Sequence, residues 1–539
     1  MHKAGYLTLV FFGLLAFCNA LQHPFVHDDV IFILKNPHIT DLNHWYGAFI
    51  QPAASDGLNT YYRPVLEILY RLEYHFFGPH PFGFHLFNVT VHIINGLLLF
   101  YLLKKLGLRA AVAWVTALLF LIHPVQTEAV SCIAGISNLM MALGVLAALN
   151  AYLKKWYMVS MLFFVFAFLS KEQGILFVPL VMVIDYYRGE KNLRPWFLLV
   201  IAGSALLWLR HGVTGSSLFK DIMASPGELY LRLAAVPRDI GMYLRLIFCP
   251  ADLHYYRSTD ILQPNGASWA LALMSLLGVS YVFKRWSQAR GVLVLGLGWF
   301  LATLSPVLNI APLINEYSFV LTPEHFLYLP IVGILIVAVS AADHFFRHCE
   351  ERSAAMRRSN LFKRLLLAIV IGSCLLLTLY QNTFWKSEIV LFERMLRFEP
   401  DFGRGHLLLA KAYYFNGLPE QADGQFKKAF TIMSGYAKRT SNLNAEKFYL
   451  TFVKEILFDW AQNESAMGRW KMALDKYKQA TVIDGKDASL YNNMAFVYLH
   501  LGDKKDARLS LQQAVQIDPS FTQARLNLQA IESVPSQTP

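Results

Sequence analysis

Apolar runs separated by short basic stretches dominate the chain up to Gln381. The runs fall near 4–21, 84–103, 110–123, 132–153, 157–170, 174–187, 195–210, 268–283, 291–310, 326–342 and 364–381. A helix needs roughly 20 residues to cross a bilayer, so several runs are short and need flanking helix to complete them. Basic stretches follow alternate runs: Lys104-Lys105 with Arg109, Lys154-Lys155, Arg188 with Lys191 and Arg194, Lys284-Arg285 with Arg290, and the loop from Arg347 to Arg364. All lie on one side if the N-terminus is cytoplasmic. The pattern therefore predicts an all-α, polytopic membrane domain with about eleven spans and an outside C-terminus.

One segment tests this parity. Leu229 to Phe248 is apolar enough to attract attention, yet it carries Arg232, Arg238, Asp239 and Arg245, with Pro237 inside. The charges predict an amphipathic element at the outer surface, or a re-entrant segment, within an outer loop at 211–267. The outer side then also receives 22–83 as a large first loop, His123 to Glu128, Ser170 to Gly174, and Pro312 to Tyr328. Met1 to Ala20 reads as a cleaved signal peptide or an uncleaved anchor. Phe17-Cys18-Asn19-Ala20 is a poor small-x-small cleavage site, so an anchor is expected.

Past Gln381 the hydropathy becomes that of a soluble protein and a period appears. Ala461, Gly468, Ala473, Tyr477, Ala480 and Gly485 recur as Ala495, Gly502, Ala507, Leu511, Ala514 and Pro519. An earlier copy reads Ala410, Tyr413, Gly417, Ala422, Phe426 and Ala429. Small residues let paired helices approach and large ones fill between them, which is the tetratricopeptide (TPR) pattern of stacked hairpins. The expected division is 1–382 for the membrane domain and 383–539 for a short α-solenoid. That solenoid has about three repeats, an insertion or extended helix around 431–453, and a capping helix from Phe521. Its repeat-defining residues are packing residues. Function would lie on the concave surface of the solenoid, which binds an extended peptide or a protein partner.

Composition supports the membrane reading: 55% of the 539 residues are hydrophobic and only 16% are charged. The net charge of +11 sits in short loops, so it reads as topology and no nucleic-acid partner is expected. The five cysteines show no disulfide or zinc spacing.

The candidate chemistry starts at Asp28-Asp29, just beyond the first apolar run. Two adjacent carboxylates resist joint ionisation and can split their pKa values. That suits a general base or a metal ligand, and equally a solvated loop start or helix cap. His85 and His92 fall on one helix face, but without a third ligand they make no metal site. Phe76, Phe77, Phe82 and Phe84 read as membrane-interface anchors.

Several stretches together resemble one family. Phe25-Val26-His27-Asp28-Asp29 with Asn36 is similar to the acidic first-loop motif of the transmembrane-and-TPR-containing protein O-mannosyltransferases. Tyr61-Tyr62-Arg63-Pro64, then Pro81-Phe82-Gly83-Phe84-His85-Leu86-Phe87-Asn88 with His92, resembles their next segment. His123-Pro124-Val125-Gln126-Thr127-Glu128-Ala129-Val130 and Ser170-Lys171-Glu172-Gln173-Gly174 match closely. Glu324-His325-Phe326-Leu327-Tyr328-Leu329-Pro330 looks like the late motif, although arginine is more usual where His325 stands. Trp385 and Glu388, leading into the repeats, complete the order.

The resemblance implies a GT-C membrane glycosyltransferase, inverting, that moves a sugar such as mannose from a polyprenyl-phosphate carrier to a protein hydroxyl on the outer face. No cofactor is firmly expected beyond that lipid-linked donor, although the acidic pair could bind a divalent cation. A hydroxyl nucleophile needs a base, for which Asp28 is assigned, with Asp29 as its orienting partner; the reverse is nearly equivalent. The leaving phosphate needs cations. Arg63, Lys171 and His325 can supply them, with His123, Glu128, Glu172 and Glu324 as further donor-site candidates. Glu172 could instead pair with Lys171 in a structural ion pair. Two other readings stay open: an envelope lipid or polysaccharide as acceptor, and a non-catalytic TPR scaffold. Membrane lipid surrounds the protein in each case. The short repeat array favours a bacterial inner membrane with a periplasmic site over an endoplasmic reticulum membrane with a lumenal one.

Overall fold

The computed structural model describes residues 2–43, 45–51, 61–190, 193–215, 226–260, 270, 274, 290–308, 319–352, 356–440 and 443–533. They form two compact units that divide between Ser387 and Glu388. Both are helical. Among the described residues the sheet structure is one antiparallel ribbon of Ser258–Asp260 with Phe319–Leu321.

In the first unit, ten predicted runs coincide with helices: His2–Phe17, Pro81–Lys105, Ala110–Ile122, Ile136–Leu153, Tyr157–Ser170, Phe177–Arg188, Leu193–Thr214, Arg290–Leu304, Pro330–Arg352 and Met356–Asn382. The run at 268–283 lies outside the described residues apart from Ala270 and Met274. Among the described residues six helical segments are long and apolar enough to cross a membrane: Pro81–Lys105, Ile133–Leu153, Arg194–Thr214, Arg290–Val307, Pro330–His348 and Leu361–Trp385. Ala110–Ile122 and Pro124–Ser131 make a seventh if taken as one span bent by 50°. Pro124 lacks an N–H and disfavours helical backbone at His123, which breaks the run there. His123 accordingly sits in extended backbone. Pro226–Phe248 folds as one helix with Pro237 inside it and is not among the long apolar spans. Arg232 and Asp239 are buried on it and Arg245 is exposed, so two of its charges turn into the protein where the amphipathic reading expected them at the surface.

The core of this unit lies among Pro81–Lys105, Ala110–Ile122, Ile136–Leu153 and Pro330–Arg352, where Leu99, Ala117, Leu118, Leu146 and Ile331 have no exposure. Lipid offers no hydrophobic drive between helices, so close packing must hold them. Arg290–Leu304 and Pro330–Arg352 show this: a Cβ at Gly333 would stand 2.2 Å from the Gly296 carbonyl oxygen. His2–Phe17 packs into the same bundle, with Leu9, Ala16 and Phe17 fully buried. Phe76 and Phe82 are exposed, as expected of anchors, whereas Phe84 is fully buried between Phe25 and Phe77 and belongs to the core.

The second unit begins with Glu388–Phe398. Three hairpins follow: Gly403–Phe415 with Pro419–Arg439, Leu443–Ala466 with Trp470–Ile483, and Ala488–His500 with Lys504–Ile517. Thr522–Ser533 caps them. The offset between the first two copies resolves into two lengthened helices of 21 and 24 residues. Ala410, Ala422, Phe426, Ala461, Ala473, Ala480, Ala507 and Leu511 are fully buried, so the repeat signature is packing. Gly417, Gly468 and Gly502 take φ of 73°, 71° and 82° at the three hairpin turns, where a side chain would be strained.

Candidate functional site

The acidic pair divides by environment. His27 stands at φ 48°, a left-handed conformation costing a side-chain-bearing residue about 1–2 kcal/mol, and the chain then enters a π-helical turn, Val30–Leu34. This turn buries Asp29 completely and leaves the Asp28 side chain 40% exposed. Asp29 Oδ1 accepts from the Ala134 N–H at 2.7 Å and from Cys132 Sγ at 3.5 Å; Oδ2 accepts from the Val26 N–H at 3.1 Å. Burial outweighs these bonds and pushes the Asp29 carboxyl up to about 7. Asp28 pairs with His27 Nε2 at 3.4 Å, and that imidazole lies edge-on to Tyr255.

A broken stretch of short helices from Pro124 to Gly135 links Asp29 to the other candidates. It carries Glu128, then Ala134, and leads to Asn138 on the next long helix. Its tightness depends on Gly135, where a Cβ would lie 2.4 Å from the Ala129 carbonyl oxygen. Lys171 is buried and donates to Asn138 Oδ1 at 2.7 Å, with its ammonium 5.6 Å from the Phe326 ring centre. Burial, reinforced by Arg63, draws Lys171 down to about 7. Glu172 does not pair with Lys171. It accepts a bidentate fork from Arg63, Nε at 3.2 Å and Nη2 at 2.9 Å. Extended backbone at Lys171 sends neighbouring side chains apart, which a reading of adjacent letters missed. Burial alone would raise the Glu172 carboxyl, but the guanidinium holds it at about 2. Arg63 also lies 4.2 Å over the Tyr61 ring.

The late motif closes on the same stretch. Glu128 accepts the His325 backbone N–H at 2.9 Å and its Nδ1 at 2.7 Å. Glu324 turns to another loop: it accepts the His254 N–H at 2.7 Å and lies 3.5 Å from Arg257. Burial and the neighbouring Glu128 push the Glu324 carboxyl well above its usual range. His123 Nε2 meets the Ile247 carbonyl at 2.9 Å and its Nδ1 accepts from the Val125 N–H at 3.2 Å, so His123 fastens the amphipathic helix to the turn.

The sequence reading missed the loop from Asp252 to Arg257. Arg257 and Arg245 both pair with Asp252, and Tyr255 packs edge-on against Trp385. The dense run Asp252-Leu253-His254-Tyr255-Tyr256-Arg257 was its available signal. A cavity beside the acidic pair is lined by Phe32, Asn36, Tyr61, Arg63, Tyr70 and Ala134 among others. Among the described residues no three metal-ligating side chains gather. Both Asp29 oxygens accept hydrogen bonds. His85 and His92 serve separate bonds, to the His23 carbonyl at 3.1 Å and to Tyr328 Oη at 2.7 Å.

The Caenorhabditis elegans protein O-mannosyl-transferase F38B6.6 is 24% identical over 460 residues, covering 80% of this chain and 63% of that protein. Mouse protein O-mannosyl-transferase TMTC4 is 24% identical over 483 residues, covering 75% of this chain and 63% of that protein. This chain's curated homologues are TMTC-family protein O-mannosyltransferases. Mouse TMTC1 is 36% identical over 148 residues, covering 26% of this chain and 15% of that protein. The tetratricopeptide repeat family model matches residues 488–521, the third hairpin. The match spans less than two thirds of the length of these TMTC-family relatives.

Proposed function

We propose that this chain transfers a sugar from a polyprenyl-phosphate carrier to Ser or Thr hydroxyls of proteins, at the outer face of the membrane. Mannose is the sugar named for its relatives. The observation that carries the reading is the split acidic pair, with Asp28 open to a substrate and Asp29 buried beneath it, joined through one broken helical stretch to Lys171 and to the Glu128–His325 pair.

Asp28 takes the proton of the acceptor hydroxyl as its oxygen bonds to the anomeric carbon from the face opposite the phosphate. The carbon–oxygen bond to the phosphate breaks, the electron pair leaves with the phosphate, and the configuration inverts. Charge grows on the phosphate oxygens, so Lys171, Arg63 and the Nε2 side of His325 are the stabilising groups. Asp29 acts as a positioning residue by fixing the turn that presents Asp28. The repeat unit favours a protein acceptor over a lipid or polysaccharide. We place the chain in a bacterial inner membrane with its site in the periplasm; an endoplasmic reticulum membrane with a lumenal site is the alternative.

Purified protein offered a panel of polyprenyl-phosphate sugars and acceptor proteins, with products read by mass spectrometry, tests this. Glycosylated Ser or Thr peptides are expected from wild type. Asp28→Asn should lose about 10²–10⁴-fold in rate, the usual worth of a positioned base. A folded Asp28→Asn protein with unchanged transfer would remove Asp28 from the mechanism, and sugar found only on lipid or polysaccharide would change the acceptor.

A further inference from the structure

The repeat unit contains a cavity of about 690 Å³, formed by Glu388–Phe398 with the first hairpin. Its size falls within the roughly 300–1,000 Å³ of ligand sites. Leu396, Leu409 and Ile432 give it an apolar strip. The walls are fixed by side-chain bonds. His406 is held between Gln425 Oε1 at 2.7 Å and the Pro400 carbonyl at 2.8 Å, and Tyr413 donates to Glu393 Oε1 at 2.6 Å.

Charge decides what such a cavity accepts. Arg397, Lys427 and Lys428 line it and are exposed. Two acids line it as well, Glu393, which accepts the Tyr413 hydroxyl, and Asp401, so three cations stand against two carboxylates and the lining keeps a net positive charge. An apolar strip beside cations fits a chain with alternating acidic and apolar side chains better than a small anion. Solenoids of this type take extended segments along their helices.

We propose that this cavity binds an acidic segment of a partner polypeptide, with Arg397, Lys427 and Lys428 pairing its carboxylates and Leu396, Leu409 and Ile432 taking an apolar side chain. The proposal names the partner's chemistry and rests on the solenoid alone, so it can fail while the transfer reading stands, and the reverse.

The test uses the full chain in lipid nanodiscs and fluorescence anisotropy of labelled peptides. The probe is a peptide alternating Glu and Leu. Peptides of equal length with Gln or Lys in place of Glu are the controls. The Glu peptide is expected to bind about tenfold or more tightly than the Gln peptide. Its affinity should fall as the Debye length shrinks from about 10 Å at 0.1 M salt to about 3 Å at 1 M. Lys427→Glu with Lys428→Glu should weaken it about tenfold. Lys504→Glu with Lys505→Glu, on another hairpin, should not. Arg397→Gln, checked for unchanged helicity by circular dichroism, gives a second reading. Equal binding of Glu and Gln peptides, or equal effects of the two double variants, would overturn the proposal. So would partitioning of peptide onto nanodiscs without protein at the level seen with it.

Discussion

Asp29 is buried with no cationic partner among the described residues, and the sign of its pH effect follows from that burial. Its carboxyl is raised from 3.8 to about 7, so folding favours the protonated form. Below about pH 4 both the folded and unfolded states hold the proton, and the contribution is complete. Between about pH 4 and 7 the unfolded chain loses the proton first, and stability falls until the folded group ionises, with an upper bound of about 4 kcal/mol. Asp29→Asn cannot ionise, although its amide loses the bond from Val26. Melting followed from pH 5 to 8 should show the variant gaining on wild type up to about pH 7 and levelling off above it; a constant difference would mean that Asp29 stays ionised throughout. Lys171 runs the other way, drawn down to about 7, so it carries charge only below that pH. If it holds the carrier phosphate, donor KM should rise as pH climbs through 7. Lys171→Arg should flatten that rise, because arginine stays charged. The acidic pair and Lys171 were legible because charges beside apolar runs stand out. The partners were not: Asn138, Arg257 and the Arg63–Glu172 fork come from distant stretches, and no spacing links them.

At the level of elements, the periodic parts were the readable ones. The hairpins follow from alanines that bury completely and glycines at positive φ. The helices of the membrane unit follow from apolar runs. The irregular pieces between Pro124 and Gly135 carry no period, yet they join Asp29 to Glu128. Their geometry rests on backbone approach at Gly135. Gly135→Ala would place a Cβ 2.4 Å from the Ala129 oxygen, where the nearest atoms are all Ala129 backbone and no flexible side chain can yield. Overpacking of this kind costs about 1–3 kcal/mol. The shift would also carry the Ala134 N–H off Asp29. Gly135→Ala should therefore lower both the melting temperature and transfer, whereas Gly212→Ala, with open space around its Cβ, should leave transfer intact. Equal transfer by both variants would separate the stretch from the chemistry.

Across the whole first unit, polar contacts sort as the charge pattern sorts the loops. Groups assigned outside meet one another: Arg63 with Glu172, Lys171 with Asn138, Glu128 with His325, Glu324 with His254. Asn382, at the end of the last long helix, joins Ser131, Asn19 and the Ala16 carbonyl on that set. Groups assigned inside also meet one another, since Asp343 gathers Arg109, Arg347 and Lys363. Distant loops drawn to two separate polar clusters are what two membrane faces produce, because a buried ion at mid-bilayer is costly. The parity further requires that Pro226–Phe248 stay on one face. A reporter enzyme active only in the outer compartment, fused after Pro539, should then be active, and one inserted after Gly189 should be silent. A silent C-terminal fusion with a silent Gly189 insertion would mean an even number of crossings between them. The count would then have to change in the stretch from Arg194 to Trp385, with Pro226–Phe248 the first segment to reassign.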